Sequence, residues 1–157
     1  MSNLTGNPAP AFTLFDTDKK PISLADFKGQ NVVVLFFPLA FTGVCTTELC
    51  SIRDNIATYN TANAQVLAIS VDSLFTLGKF KEEQKLNFPL LSDFNKSAIT
   101  SYGVKYDVFP AFEMQGVSKR AAFVIDKEGI IQYEEVCPTP GDLPNFEAIQ
   151  TTLNKLN

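Results

Sequence analysis

The feature that most limits how this chain can fold is an uninterrupted apolar stretch at residues 31–37, NVVVLFF. Most of its side chains are β-branched or aromatic, which is typical of a strand that is covered on both faces of a sheet. Pro38 ends the strand, because proline has no N–H to donate to a neighbouring strand. A strand buried on both faces needs helices above and below it, so this stretch predicts an α/β fold.

Helical spacing follows this strand, because apolar side chains recur every three or four positions from residue 45 to residue 59. Strands are also predicted at 11–15, 65–71 and 88–91, a strand with a helical turn at 22–27, helices at 74–86, 96–102 and 143–156, a loop at 107–118 and a hairpin at 121–136. This order predicts a thioredoxin-like α/β fold, with a mixed central sheet and helices on both faces. The 157 residues contain no repeat and no linker, so one domain, 1–157, is predicted.

Charge and hydropathy exclude several classes of function. The formal net charge of −4 and a pI near 4.8 argue against a nucleic-acid partner. The first residues, MSNLTGNPAP, lack the charged and apolar regions of a signal peptide, and the longest apolar run, 32–41, is too short to cross a bilayer. We therefore expect a cytoplasmic protein without a membrane partner.

The chain has three cysteines, Cys45, Cys50 and Cys137, and no histidine. An odd number of cysteines does not suggest a disulfide framework, and the absence of C-x-x-C argues against a thioredoxin-type redox pair or a zinc knuckle. Without histidine there is no Cys-His dyad, no Ser-His-Asp triad and no His-based metal site. No cofactor is expected, and a nucleophilic cysteine must be activated by something other than imidazole.

The position of Cys45 supplies such an activation. If the helix begins near Thr42, the threonine hydroxyl can cap it, and Cys45 lies among the free N–H groups and the positive dipole of the first turn. These groups stabilise a thiolate, and Arg120, just before the predicted strand 121–125, is a candidate cation. A cysteine beside a core strand is also common as simple packing.

The surrounding residues resemble the active-site signature of the peroxiredoxins. P-L-A-F-T-G-V-C at 38–45 matches P-x-x-x-T-x-x-C, and C-T-T-E-L-C-S-I-R-D at 45–54, F-P-L-L-S-D at 88–93, Y-G-V at 102–104 and R-A-A-F-V-I-D at 120–126 follow in family order. FFPLAFTGVC is similar to the one-cysteine, E-type alkyl hydroperoxide reductases. A second cysteine five residues later is similar to the Q-type group, the bacterioferritin comigratory proteins.

The resemblance implies a thiol peroxidase that reduces hydrogen peroxide and organic hydroperoxides through a sulfenic acid. It implies that Cys45 is the peroxidatic cysteine, that Thr42 contacts the sulfur and the peroxide, and that Pro38 shields the site. Arg120 would hold the thiolate and polarise the O–O bond, and Glu48 would orient that arginine. The implied partners are a peroxide, a thiol reductant such as thioredoxin or a low-molecular-weight thiol, and a second subunit in a homodimer.

Two other functions remain open on this fold, a thiol-disulfide oxidoreductase and a redox sensor that signals through a partner. Two residues also have simpler explanations. Stabilisation of the helix N-terminus by its charge would account for Glu48, and a surface ion pair with Asp54 or Glu48 explains Arg53 as well as the site does.

The fate of oxidised Cys45 also has alternatives. Five residues along a helix correspond to a rise of about 7.5 Å, and side chains about 140° apart cannot form a disulfide. Cys50 can resolve Cys45 only if the first turns unwind, which the β-branched pair Thr46 and Thr47 favours. A second alternative is that Cys50 is only packing and that an outside thiol reduces Cys45. A third is that Cys137, predicted on an exposed loop, or an intersubunit bond resolves Cys45.

Overall fold

The apolar stretch forms the central strand of a seven-stranded mixed sheet in the computed structural model, which describes residues 3–157. The strands are β1 Thr13–Asp16, β2 Pro21–Ser23, β3 Asn31–Phe36, β4 Ala64–Ser70, β5 Leu90–Ser92, β6 Ala121–Ile125 and β7 Ile131–Val136. Their order is β2-β1-β5-β4-β3-β6-β7. Strands β3, β4 and β5 are parallel, and the other pairs are antiparallel.

The helices pack on both faces of the sheet. They are α1 Gly43–Asp54, α2 Ile56–Thr61, α3 Leu74–Gln84, α4 Ser97–Ser101 and α5 Phe146–Leu156, with a short 3-10 helix at Leu24–Phe27. Side chains of α1, α2, α3 and α5 join one core cluster, and those of α4 join the cluster on the opposite face. The predicted thioredoxin-like α/β architecture is thus confirmed.

Strand β3 is buried along its whole length, as its sequence predicts. Val33 and Leu35 contribute to the core cluster that contains α1, whereas Val32, Val34 and Phe36 contribute to the other cluster. Because successive side chains of a strand point to opposite faces, an all-apolar sequence serves both cores. This placement puts the carboxyl end of β3 at the centre of one sheet edge.

The prediction of one helix at 45–59 is wrong in two respects. The helix begins at Gly43, two residues earlier, and it is broken at Asn55 into α1 and α2. The Asn55 side-chain amide donates to the carbonyl of Ser51 at 2.9 Å, and its backbone, with φ −114° and ψ 18°, has left the helical region. A short amide side chain that bonds the backbone competes with helical hydrogen bonds, and the apolar spacing alone did not reveal this.

The other predicted elements are present with shifted ends. Strand β5 lies two residues later than predicted at its start, and α5 begins at Phe146 rather than at 143. Asn145 caps α5, since its side chain accepts a hydrogen bond from the N–H of Ala148 at 2.9 Å. Within residues 3–157, no helix is both long enough and apolar enough to cross a membrane.

Candidate active site

The pairing of β3 with β6 brings Arg120 to Cys45 across 75 residues of sequence. Phe36 lies opposite Ala121 in the antiparallel register, so Arg120, the residue before β6, lies where β3 ends. A short loop leads from β3 into α1, and Cys45 is the third residue of that helix. The strand end, the helix start and the arginine therefore meet at one edge of the sheet, where open α/β folds place their ligands.

Arg120 connects the elements of the site through its guanidinium. Its Nη1 donates to Cys45 Sγ at 3.2 Å and to Glu48 Oε1 at 2.8 Å, and its Nη2 donates to the carbonyl oxygen of Pro140 at 2.9 Å. Cys45 and Glu48 have no exposed surface, and Arg120 is 2% exposed. A cation held against a sulfur in a buried site stabilises the thiolate, because little water screens the pair.

Burial also sets the charges of the two groups beside the sulfur. It raises the pKa of Glu48 to about 7, although Arg120 acts in the opposite direction by its charge and its hydrogen bond. For Arg120, burial opposes the charged form, but Glu48 and Cys45 outweigh it and raise the pKa of the guanidinium. Arg120 therefore stays positive, while Glu48 gains or loses its proton near neutral pH.

Thr42 occupies the N-cap position of α1, but its hydroxyl does not cap the helix, contrary to the prediction. The hydroxyl instead donates to the carbonyl oxygen of Leu39 at 2.8 Å, because the turn that follows Pro38 brings this acceptor close. The N–H groups of the first turn therefore have neither an intrahelical acceptor nor a side-chain cap, which leaves them free to stabilise an anion at the helix start.

The loop before α1 is backbone-strained. Phe41 has a φ of +67°, a left-handed conformation that is unusual for a bulky residue, and it directly precedes Thr42. Pro38, at the other end of this loop, is buried. Strain of this kind persists only where the surrounding structure enforces it, and it concentrates at functional sites.

The first turn of α1 carries two additional hydrogen bonds. The hydroxyl of Thr46 donates to the carbonyl of Thr42 at 2.8 Å, and that of Thr47 donates to the carbonyl of Gly43 at 3.1 Å. Hydroxyls that bond back to the carbonyl four residues earlier compete with the backbone N–H and slightly weaken a helix. The helix start is thus held less firmly than its hydrogen-bond count suggests.

Cys50 lies outside the cluster around Cys45. It is half-buried, and its thiol donates to Gln84 Oε1 of α3 at 3.5 Å. Arg53 is also outside: it pairs with Asp54 at 2.9 Å and bonds the main-chain carbonyl of Gln84. Of the two explanations for Arg53, the structure therefore supports the surface ion pair.

Cys137 is buried, at 3% exposed, so its predicted exposure is wrong. It directly follows β7, and its N–H donates to the carbonyl of Arg120 at 2.9 Å, which places it in the sheet layer rather than on the loop surface. Burial, with smaller contributions from Glu135 and Glu48, raises the pKa of the Cys137 thiol to about 11. This thiol is neutral at physiological pH.

Two contacts of the candidate residues were not predicted from the sequence. The carbonyl of Pro140 is a main-chain atom, which every residue carries, so no sequence pattern marks it as a partner of Arg120. Gln84, at the end of α3, is likewise an ordinary surface residue until the fold places it against Cys50.

Comparison with known proteins agrees with this geometry. The family model described as AhpC/TSA matches residues 5–134. The chain is 38% identical over 139 residues to alkyl hydroperoxide reductase E of Mycobacterium bovis, covering 88% of each chain. It is 39% identical over 128 residues to the chloroplastic peroxiredoxin Q of Oryza sativa subsp. japonica, covering 82% of this chain but 57% of that protein.

A solved structure has the same overall fold. The crystal structure of peroxidoxin BcpB from Mycobacterium tuberculosis superposes with a TM-score of 0.87 at 26% identity and covers 99% of both chains. The sequence relatives carry the names of both groups that the motifs resemble, at nearly equal identity. Because the family match spans most of the chain and includes the buried cysteine with its arginine, the chain belongs to the AhpC/TSA family of peroxiredoxins and is an oxidoreductase that reduces peroxides at the expense of thiols.

Proposed function

We propose that Cys45 is the nucleophile of peroxide reduction and that Arg120 is the residue that activates it. The observation that carries this assignment is the single nitrogen, Arg120 Nη1, that donates to both Cys45 Sγ and Glu48 Oε1 in a buried site. A guanidinium fixed in this way stabilises the thiolate before peroxide arrives and the developing oxyanion afterwards.

The proposed reaction begins with attack of the Cys45 thiolate on one peroxide oxygen. An S–O bond forms as the O–O bond breaks, so sulfur is oxidised and the peroxide is reduced. With the proton already on the attacked hydroperoxide oxygen, Cys45 becomes sulfenic acid, and the other oxygen leaves as hydroxide or alkoxide and is protonated to water or alcohol. Arg120 has five N–H donors, of which three are bonded, so it keeps donors for the peroxide oxygens.

The neighbouring residues take supporting roles in this proposal. The Thr42 hydroxyl donates its hydrogen bond to the Leu39 carbonyl oxygen, so its lone pairs remain available to accept a hydrogen bond from the peroxide O–H. Pro38 adds an apolar wall that excludes water, since it is buried two residues after the end of β3. Glu48 holds Arg120 in position through the 2.8 Å contact.

The peroxidase function is tested by peroxide consumption with dithiothreitol as the only reductant. We expect sustained turnover with hydrogen peroxide and with an organic hydroperoxide. Insulin reduction without peroxide consumption would indicate a thiol-disulfide oxidoreductase instead. A single stoichiometric oxidation that does not turn over would indicate a redox sensor.

We propose that Cys50 resolves the sulfenic acid of Cys45. The sulfur of Cys50 attacks the sulfenic sulfur of Cys45, and an S–S bond forms as the S–O bond breaks. The departing hydroxide takes the proton of the Cys50 thiol and leaves as water. A thiol reductant, such as thioredoxin or a low-molecular-weight thiol, then reduces the disulfide. The two cysteines are on one intact helix, so α1 must first unwind at its start and release Cys50 from Gln84. The back-bonded hydroxyls of Thr46 and Thr47 support this proposal, because they weaken the first turn.

Cys50→Ser should accumulate sulfinic acid on Cys45 faster than the wild type in excess peroxide, because sulfenic acid that cannot pair meets further peroxide. Intact-protein and peptide mass spectrometry measure this product. Cys137→Ser is the matched control and should oxidise at the wild-type rate, since its thiol is buried and neutral. Peptide mapping that finds no 45–50 linkage in the oxidised wild type would assign reduction to an outside thiol.

A homodimer in the cytoplasm completes the proposal. Exposed phenylalanines lie at the edge of the sheet that carries the site: Phe41 follows β3, Phe75 is the second residue of α3 after β4, and Phe94, 64% exposed, follows β5. Asp72 joins these loops, since its carboxylate accepts from the N–H of Ala40 and its carbonyl accepts from the Ser92 hydroxyl. An apolar patch of this kind is typical of a protein interface.

Phe94→Glu should shift the protein toward monomers in sedimentation velocity, because the charge would be buried without a partner in the interface. Phe94→Leu keeps an apolar side chain and should remain dimeric. A wild-type protein that sediments as a monomer at all concentrations would contradict the dimer. For the compartment, fractionated cells should contain the protein in the cytoplasmic fraction, where thiol reductants are maintained.

A further inference from the structure

We infer that the turn at residues 139–142 is a positioning element for Arg120 and, through it, sets the reactivity of Cys45. This inference rests on the proposed roles of Cys45 and Arg120. It assigns a function to Asp142 and Thr139, two exposed residues that touch neither the sulfur nor a peroxide and that no active-site motif marks.

The argument begins with how the guanidinium is held. Both acceptors on Nη1, Cys45 Sγ and Glu48 Oε1, belong to α1 and lie three residues apart on that helix. Contacts at one nitrogen leave the guanidinium able to pivot about it. The bond from Nη2 to the Pro140 carbonyl, at 2.9 Å, is a second anchor point on a different part of the chain. Together the anchors fix the guanidinium plane.

The second anchor has little access to bulk water. Arg120 is 2% exposed, and its Nε already lacks a partner among the described residues. A displaced Pro140 carbonyl would leave a further buried donor unsatisfied, so the guanidinium would turn toward another acceptor. Any such rotation moves Nη1 away from its position between the Cys45 sulfur and Glu48.

The turn is built to hold this carbonyl. Asp142 Oδ2 accepts hydrogen bonds from the backbone N–H of Thr139 at 3.2 Å and from its hydroxyl at 3.1 Å, and the Asp142 N–H donates to the Thr139 carbonyl at 3.2 Å. Pro140 lies between them, and its ring fixes φ. The aspartate and threonine thus close a turn whose central carbonyl faces Arg120.

Both ends of the segment are also attached to the sheet. The N–H of Cys137 donates to the carbonyl of Arg120 itself at 2.9 Å, and the N–H of Asn145 donates to Glu135 Oε1 at 2.8 Å. Between these attachments, and apart from the bond from Arg120, the hydrogen bonds that hold the turn in the described part of the chain are those between Thr139 and Asp142. Removing the Asp142 carboxylate should therefore loosen the Pro140 carbonyl without disturbing the sheet.

Asp142→Ala should lower kcat/KM for hydrogen peroxide by about tenfold, less than the hundredfold loss that a misplaced catalytic group can bring. It should also move the alkylation of Cys45 by iodoacetamide to higher pH, because a mobile guanidinium stabilises the thiolate less well. Asp142→Asn keeps an oxygen acceptor but loses the charge, and it should recover most of the activity. Both variants should keep the wild-type Tm, since Asp142 is exposed.

A double-mutant test identifies the route. In an Arg120→Met background, Asp142→Ala should cause no further loss, because the turn then has no guanidinium to position. An additive loss, wild-type kinetics in Asp142→Ala, or an Asp142→Asn variant as poor as Asp142→Ala would overturn the inference. An active Cys45→Ser variant would instead refute the proposed function itself, so the two failures are distinguishable.

Discussion

Cys45→Ser should reduce peroxide turnover to the background rate of the assay without protein. A serine hydroxyl is not ionised near neutral pH and is a far weaker nucleophile than a thiolate. Within residues 3–157, the cysteine sulfur that accepts a hydrogen bond from Arg120 is that of Cys45. The variant should fold, because serine is slightly smaller than cysteine and its hydroxyl can accept the hydrogen bond from Arg120. The measurement is peroxide consumption with dithiothreitol, alongside the Tm.

Cys137→Ser is again the matched control for this result. Its thiol is buried and neutral, with a pKa raised to about 11, so its loss should leave turnover near the wild-type value. If Cys45→Ser keeps appreciable turnover while Cys137→Ser loses it, the nucleophile has been misassigned and the geometry around Arg120 serves another purpose.

Arg120→Met should lower kcat/KM by roughly 10²–10³-fold, the loss typical of removing one preorganised donor to a developing oxyanion. Arg120→Lys should fall between this variant and the wild type. Lysine keeps the charge, but it lacks the planar fork that bonds Cys45, Glu48 and the Pro140 carbonyl together. In Arg120→Met, alkylation of Cys45 should also require a higher pH. An unchanged alkylation profile would remove the arginine from the mechanism.

The same variant should change how stability depends on pH. The pKa of Glu48 is raised by burial to about 7, and Arg120 is the group that lowers it, so its removal raises this pKa further. A carboxyl that holds its proton more tightly in the folded state stabilises the fold at low pH and loses this contribution as pH rises through its folded pKa. Below about pH 7 the wild type loses this contribution as well, so the Tm of Arg120→Met should fall relative to the wild type only as the pH rises above about 7.

A second substitution separates this effect from a general loss of packing. Glu48→Gln in the Arg120→Met background removes the titrating group but keeps nearly the same shape. The additional pH dependence of Tm should then disappear. If it persists, another group is responsible, and Glu48 is not the partner whose charge Arg120 stabilises.

The central layer of this protein follows from residue type and local spacing along the chain. The stretch 31–37 predicts a strand buried on both faces, and β3, Asn31–Phe36, is such a strand between β4 and β6. Three features of the site could also be predicted from residue type and local spacing: a cysteine near a helix start, an arginine before a strand and the lack of histidine. The break at Asn55 was not visible, since the apolar spacing continues through it.

Which of these residues meet depends on how the strands pair and on what becomes buried in the folded chain. The register of β3 with β6 brings Arg120 to Cys45, and because both strands are apolar apart from Asn31, their sequences do not mark which residues lie opposite each other. Burial decided the state of Cys137, which lies within the sheet layer rather than on a loop surface. The turn that places the Pro140 carbonyl against Arg120 has no side-chain signature at all, because the contact is made by a main-chain atom whose position depends on the folded path of the chain.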